Sequence, residues 1–204
     1  MGLTKPIEQN LLSYQGTIKY LKYIIRGENN MAAKIIKVYK EHLPSLRFIG
    51  KCYTNADRIG GFGHKWGEWF EKGWFGLLEE IGEYKDIENG YLGFMRCNGS
   101  DAENTFEYWI GMLFPVNTHV PEEFDYIDLE EGDIAVCWIK GREDDGIYDM
   151  HEACMTKVIE NGMGNFKGDD KNRACFFERY NCPRFTQQDE EGNVILDYGI
   201  YLSV

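Results

Sequence analysis

The chain has little of what metal, redox or nucleotide chemistry requires. Its 204 residues include six cysteines, at 52, 97, 137, 154, 175 and 182, with no C-x-x-C pair and no Cys/His group at zinc-ligand spacing. No metal or other cofactor is therefore expected, and most thiols read as reduced core residues. The four histidines, 42, 64, 119 and 151, are scattered, and none has a partner evident from the sequence that would make it a general base. Nucleophile elbows, phosphate loops and dinucleotide fingerprints are also missing. No apolar run approaches the roughly 20 residues of a membrane span, and the N-terminus has no basic region followed by an apolar one and a cleavage site. A cytoplasmic location away from membranes is expected. Basic residues are the other shortage: 22 against 34 acidic, a net charge of −12. That balance disfavours phosphate backbones and anionic lipid, so direct nucleic-acid binding is not expected and cationic or neutral partners fit better.

What the chain has is apolar and aromatic. At 43% hydrophobic and 15% aromatic residues it can fill a sizeable core. One stretch stands apart: "CFFERYN", residues 175–181, carries a single carboxylate, Glu178, among rings. In a β-strand Phe176, Glu178 and Tyr180 share one face, while Cys175, Phe177 and Arg179 share the other. A buried, unpaired carboxylate costs several kcal/mol, of the order of ~3–5, so Glu178 needs a partner, a proton or a ligand. A structural ion pair with Arg47 or Arg96 would satisfy it, and so would a ligand.

The first thirty residues differ from the rest. Leu11, Tyr14, Ile18, Leu21 and Ile25 form the seam of an amphipathic helix from about Pro6 to Gly27, giving a helical arm over residues 1–31. The seam fits either packing on its own domain or a homodimer through the arm, or the remnant of a linker. From residue 32 the order is strand, helix, strand, strand, repeated once. "KIIKVYKEHLPSLRFIGKCYT" reads as a long bent strand, or two short ones, with Pro44 at the bend, and "GFGHKWGEWFEKGWFGLLEEIG" as one helix weakened by glycines. Gly67 and Gly73 are expected where another backbone or a ligand comes close. Two strands follow around a turn at "NGSD", with Phe106, Tyr108, Ile110, Met112 and Phe114 on one face and Trp109 and Leu113 on the other. In the second half, "FDYIDLEEGDIAVCWIKG" is again a bent strand pair and "GIYDMHEACMTKVIENG" a helix with Ile147, His151, Cys154, Met155, Val158 and Ile159 on one side. "CFFERYN" and "NVILDYGIYLSV" close the unit, the latter with Val194, Leu196, Tyr198, Ile200 and Leu202 on one face. The expected fold is α+β: two strand-helix-strand-strand units, about 32–116 and 122–204, with helices packed on an antiparallel sheet.

The stretches "HLPSLRFIGK", "KWGEWF", "FDYIDLEEGDIAVCWIKG", "GIYDMHEA", "FFERY" and "DYGIYLSV", in this order and spacing, resemble the GyrI-like family of small-molecule-binding domains, also called AraC-type effector-binding domains, with SOUL-like folds as distant relatives. The resemblance covers about residues 33–204. The chain departs from it in the acidic "GREDDG" and in a serine where the last strand usually has proline, and no regulator-type DNA-binding domain is expected ahead of it. The resemblance implies a bacterial, transcription-regulator-like domain whose cleft between pseudo-symmetric halves binds lipophilic, often cationic, molecules of multidrug type. It places Glu178 as the acid of the cleft, Trp66 as the aromatic of the first helix and Tyr148 near an aromatic of the second. Trp69, Tyr91, Trp109, Phe176 and Tyr180 complete the candidate ligand-binding set, each of them equally a packing residue. Rings around a carboxylate offer apolar area and a cation–π attraction of roughly 0.5–2 kcal/mol per good contact. The leading expectation is a stand-alone protein that senses or sequesters lipophilic compounds. Two alternatives stay open: a hydrolase of reactive cyclopropane-containing compounds with Glu178 as catalytic residue, and a protein that inhibits DNA gyrase or binds a regulator.

Overall fold

A computed structural model describes residues 33–82, 85–180 and 183–203; the helical arm expected over residues 1–31 lies outside the described residues. Nine strands carry the fold: β1 (Lys34–Leu43), β2 (Leu46–Thr54), β3 (Tyr91–Cys97), β4 (Glu107–Pro115), β5 (Asp125–Leu129), β6 (Gly132–Gly141), β7 (Asn165–Phe166), β8 (Ala174–Tyr180) and β9 (Val194–Ser203). Helices α1 (Gly63–Lys72) and α2 (Trp74–Glu79) lie between β2 and β3, α3 (Ala102–Thr105) between β3 and β4, and α4 (His151–Glu160) between β6 and β7. The architecture is α+β, as the sequence order implied.

The sheet runs β1-β6-β9-β8-β3-β4-β2-β5, with β7 added beside β9 and all pairings antiparallel. Exchanging β1 with β5, β2 with β6, β3 with β8 and β4 with β9 returns the same order reversed. The two units are therefore related by a pseudo-two-fold axis between β3 and β8, where Phe94 stands opposite Phe177. Each unit sends its first strand to the far side of the other: β1 pairs with β6 and β5 with β2.

That exchange forces the sheet to curl. Only Pro44 and Ser45 separate β1 from β2, a reach of about 11 Å at 3.8 Å per residue. In a flat sheet the six intervening spacings would need about 29 Å. The curl encloses a core built from strands alone, including Leu43, Leu46, Phe48, Phe94, Trp109, Val136 and Phe177, all buried. The outer face carries a second core, where Ile49, Tyr108, Ile110, Phe176, Tyr198 and Ile200 meet Trp69, Phe75 and Leu78 of α1 and α2 and Cys154, Met155 and Val158 of α4. Alternation along each strand assigns side chains to one core or the other.

Of the two readings of "KIIKVYKEHLPSLRFIGKCYT" the two-strand one holds, with β1 at one end of the sheet and β2 next to the other end. Three other local expectations need correction. The single glycine-weakened helix is two, because Gly73 adopts a left-handed φ of 67° that closes α1 and opens α2. No atom stands within 4 Å of where a Cβ would lie on Gly67 or Gly73, so close approach does not explain either; the φ of 67° alone explains Gly73. The turn at "NGSD" leads into the one-turn helix α3.

Candidate functional site

The outer face of the sheet, close to the pseudo-two-fold axis, holds the carboxylate that the sequence singled out. Glu178 is only 5% exposed. Its Oε1 lies 2.9 Å from Nε2 of His151, the first residue of α4, and its Oε2 accepts a 2.9 Å hydrogen bond from the Tyr180 hydroxyl. The arginines offered by the sequence are engaged elsewhere. Arg47 grips Asp128 through two bonds of 2.7 and 2.8 Å, and Arg96 binds Glu107 at 2.9 and 2.5 Å. Among the described residues no guanidinium or ammonium group pairs with Glu178.

Rings close around it. The Trp66 indole donates to the Tyr108 hydroxyl at 2.9 Å and meets the Tyr180 ring at 4.6 Å, edge to face. Phe185 packs on Tyr180 from another side at 4.9 Å, and Phe62 stacks on Tyr108 at 4.3 Å. His151 stacks on Tyr198, 4.5 Å away and nearly parallel, with Phe176 at 6.3 Å. Gly93, opposite Glu178 in the sheet, makes room for this convergence. A Cβ there would stand 2.5 Å from the Tyr108 hydroxyl oxygen and 3.4 Å from Glu178 Oε2.

Burial drives the Tyr108 and Tyr180 phenols well above their ordinary range, and the Glu178 charge adds to it. Tyr148 is pushed up by burial first and by Glu143 next, and its hydroxyl donates to Glu143 at 3.0 Å. The phenols are thus hydrogen-bond donors at neutral pH, and Tyr180 spends its proton on Glu178. The Tyr198 hydroxyl is buried without a hydrogen-bond partner among the described residues.

Of the candidate residues, Glu178, Trp66, Phe176 and Tyr180 come together here, and Tyr148 lies near enough for the Glu178 charge to act on it. Tyr91 borders the cluster: it stands opposite Tyr180 in the sheet, stacks on Phe75 at 3.8 Å and donates to Glu79. Trp69 is fully buried against Phe75 and Phe124 and donates to Tyr53, away from Glu178. Trp109 stands in the inner core and donates to Glu107, on the opposite face from Glu178. The sequence reading missed His151, Tyr108, Tyr198 and Phe185 as site residues. For the first three a signal was present, since each falls on the apolar side assigned to its own helix or strand.

A near-buried acid ringed by aromatics thus stands on a curled and duplicated sheet, and comparison with known proteins tests how general that fold is. Neither a protein family nor a curated protein matches the sequence. Solved structures do match. A putative bacterial transcription regulation protein from Staphylococcus aureus MU50 is 17% identical, with a TM-score of 0.59 over 82% of this chain and 99% of that one. SAV2435 bound to tetraphenylphosphonium is 18% identical, with a TM-score of 0.60 over 82% of this chain and 94% of that one. The chain shares the α+β fold of these two structures.

Proposed function

We propose that the protein binds lipophilic cations at Glu178, against the rings of Trp66, Tyr108, Tyr180 and Phe185. The observation that carries this is the carboxylate itself: at 5% exposure it has a hydrogen-bonded phenol and an imidazole, but no arginine or lysine among the described residues. A buried negative charge without a permanent counter-ion attracts a cation brought in on apolar surface. The rings supply that surface, and an aromatic face attracts a cation. SAV2435, of the same fold, was found with tetraphenylphosphonium, a charge wrapped in four phenyl groups. The role that follows is sensing or sequestering such compounds. Among the described residues no helix is long and apolar enough to cross a membrane.

The 2.9 Å contact of Glu178 with His151 favours a second reading, in which the pair activates water toward a strained electrophile. Turnover of a cyclopropane-containing compound, lost in Glu178→Gln, would establish it. The first reading is tested by titrating wild type and Glu178→Gln with tetraphenylphosphonium and with neutral triphenylphosphine oxide. The substitution should weaken the cation by about 1–2 kcal/mol, roughly five- to thirty-fold, and the neutral compound much less. Equal losses for both compounds would show that the carboxylate does not read charge.

A further inference from the structure

Resting on cation binding at Glu178, we infer that His151 is the built-in competitor of the ligand, so that protonation of His151 and occupancy by a cation exclude one another. The geometry holds the imidazole directly against the carboxylate. Its Nε2 is 2.9 Å from Oε1, its ring lies flat on Tyr198 at 4.5 Å, and it is held at the first residue of α4. When His151 is neutral, it shares one hydrogen bond with a carboxylate whose charge is uncompensated. When it is protonated, the pair is an ion pair of net charge zero in a buried setting, and a second cation has nothing left to neutralise. Imidazole is also the side chain that most readily changes between a neutral and a cationic form.

Other titratable groups face the pair from the elements packed around it. Strand β4 brings Tyr108, β8 Tyr180 and β9 Tyr198, all driven far up by burial. The turn before α4 brings Tyr148, also raised, with Glu143 behind it. From β3 comes Cys97, pushed by burial to about 11, and from α4 Cys154, raised by burial. Cys137 of β6 donates its thiol proton to the Cys154 carbonyl. Along the chain Asp149 and Glu152 flank His151. Among these groups His151 is the one that can place a positive charge directly against Glu178.

Linkage gives the sign. A cation that binds only when His151 is neutral must lose affinity as pH falls and His151 takes up a proton, by up to about tenfold per pH unit, and binding to the protonated form must release that proton. A neutral ligand of the same shape loses little. The experiment is to measure tetraphenylphosphonium and triphenylphosphine oxide affinities from pH 8 to 5 for wild type and His151→Gln, which keeps a donor near Nε2 and removes the titration. Cation binding should fall with acid in wild type and stay level in the variant, while the neutral compound stays level in both. In parallel, NMR titration of the wild-type imidazole should show its midpoint lowered when the phosphonium is bound, a readout that does not depend on the variant folding. Cation binding at pH 8 that is flat with pH, or an equal slope in His151→Gln, or an unmoved imidazole midpoint, would overturn the competition while leaving cation binding standing. No phosphonium binding at pH 8 by either protein would overturn both.

Discussion

The two halves of the sheet are built alike at their ion pairs and differently at their rings, and the difference sets the Glu178 half apart within a duplicated frame. The pseudo-symmetry matches Arg96 with Arg179 and Glu107 with Asp197, since each arginine stands opposite its acid in the sheet. Each arginine belongs to an ion network on the inner side of the curl. Arg96 shares Glu107 and Asp169 with Arg173, and Arg179 holds Glu41 and Asp197, with Arg184 on Asp197 as well. On the outer face the match fails. Met95 stands where the second half has Glu178, and Tyr108, bonded to Trp66, stands where the second half has Tyr198, stacked under His151. One acid per duplicated pair of sites makes a single charged spot beside the axis.

If the ion networks carry the frame, breaking them should cost more than any change on the outer face. The largest effect is expected from Arg179→Met. Both Arg179 and Asp197 are 0% exposed, so removing the guanidinium leaves buried carboxylate charge that Arg184 only partly offsets. A loss of about 3–5 kcal/mol in urea unfolding is expected. Arg96→Met should cost less, about 2 kcal/mol, because Arg173 remains on both Glu107 and Asp169. A larger loss for Arg96 than for Arg179 would mean that the two networks are not ranked by burial.

The matched tyrosines should respond with opposite signs. Tyr108→Phe strands the Trp66 indole proton at a part-buried site and should destabilise by about 1 kcal/mol. Tyr198→Phe removes a buried hydroxyl that has no partner among the described residues, keeps the ring under His151, and should be neutral or stabilising by up to about 1 kcal/mol. Destabilisation by Tyr198→Phe equal to that by Tyr108→Phe would show that the hydroxyl is satisfied in solution, by water or by a ligand.

Much of this comparison was legible in the sequence, and what was hidden was hidden for a physical reason. Period-two alternation is a local property of a strand, so the faces of β4, β8 and β9 and the setting of Glu178 among Phe176 and Tyr180 could be read directly. Pairing is not local. Nothing in "KIIKVYKEHLPSLRFIGKCYT" says that β1 joins β6, about a hundred residues on, because that follows from the curl of the whole sheet. The same limit hid the partner of Glu178. His151 lies 27 residues earlier, and a single imidazole at the start of a helix looks like any half-buried histidine until α4 is laid on the sheet. Trp69 and Trp109 were included because tryptophan serves cores and ligand sites equally well, and only the face and depth of each separates the two.

The smallest expected effect is the most discriminating test of the two halves, because it turns on sign. Burial pushes the Glu107 carboxyl up, but Trp109, Arg96 and Arg173 more than reverse this and hold it below its ordinary value. Burial pushes Asp197 up too, and there Arg179 and Arg184 do not overcome it, so it stays above its ordinary value. A depressed carboxyl contributes stability that is present above its unfolded value, about 4.3 for glutamate, and is lost as pH falls through the folded value. A raised carboxyl works the other way: the folded state binds the proton more tightly, so stability grows as pH falls from the folded value toward the unfolded one, about 3.9 for aspartate. Acid should therefore loosen the Arg96 end and spare the Arg179 end. Urea unfolding from pH 7 to 3 should lose stability less steeply in Glu107→Gln, a change held under about 1 kcal/mol by solvent screening at the part-exposed Glu107, and more steeply in Asp197→Asn. If the two variants shifted the slope in the same direction, the matched acids would be electrostatically equivalent, and the halves would differ in their rings alone.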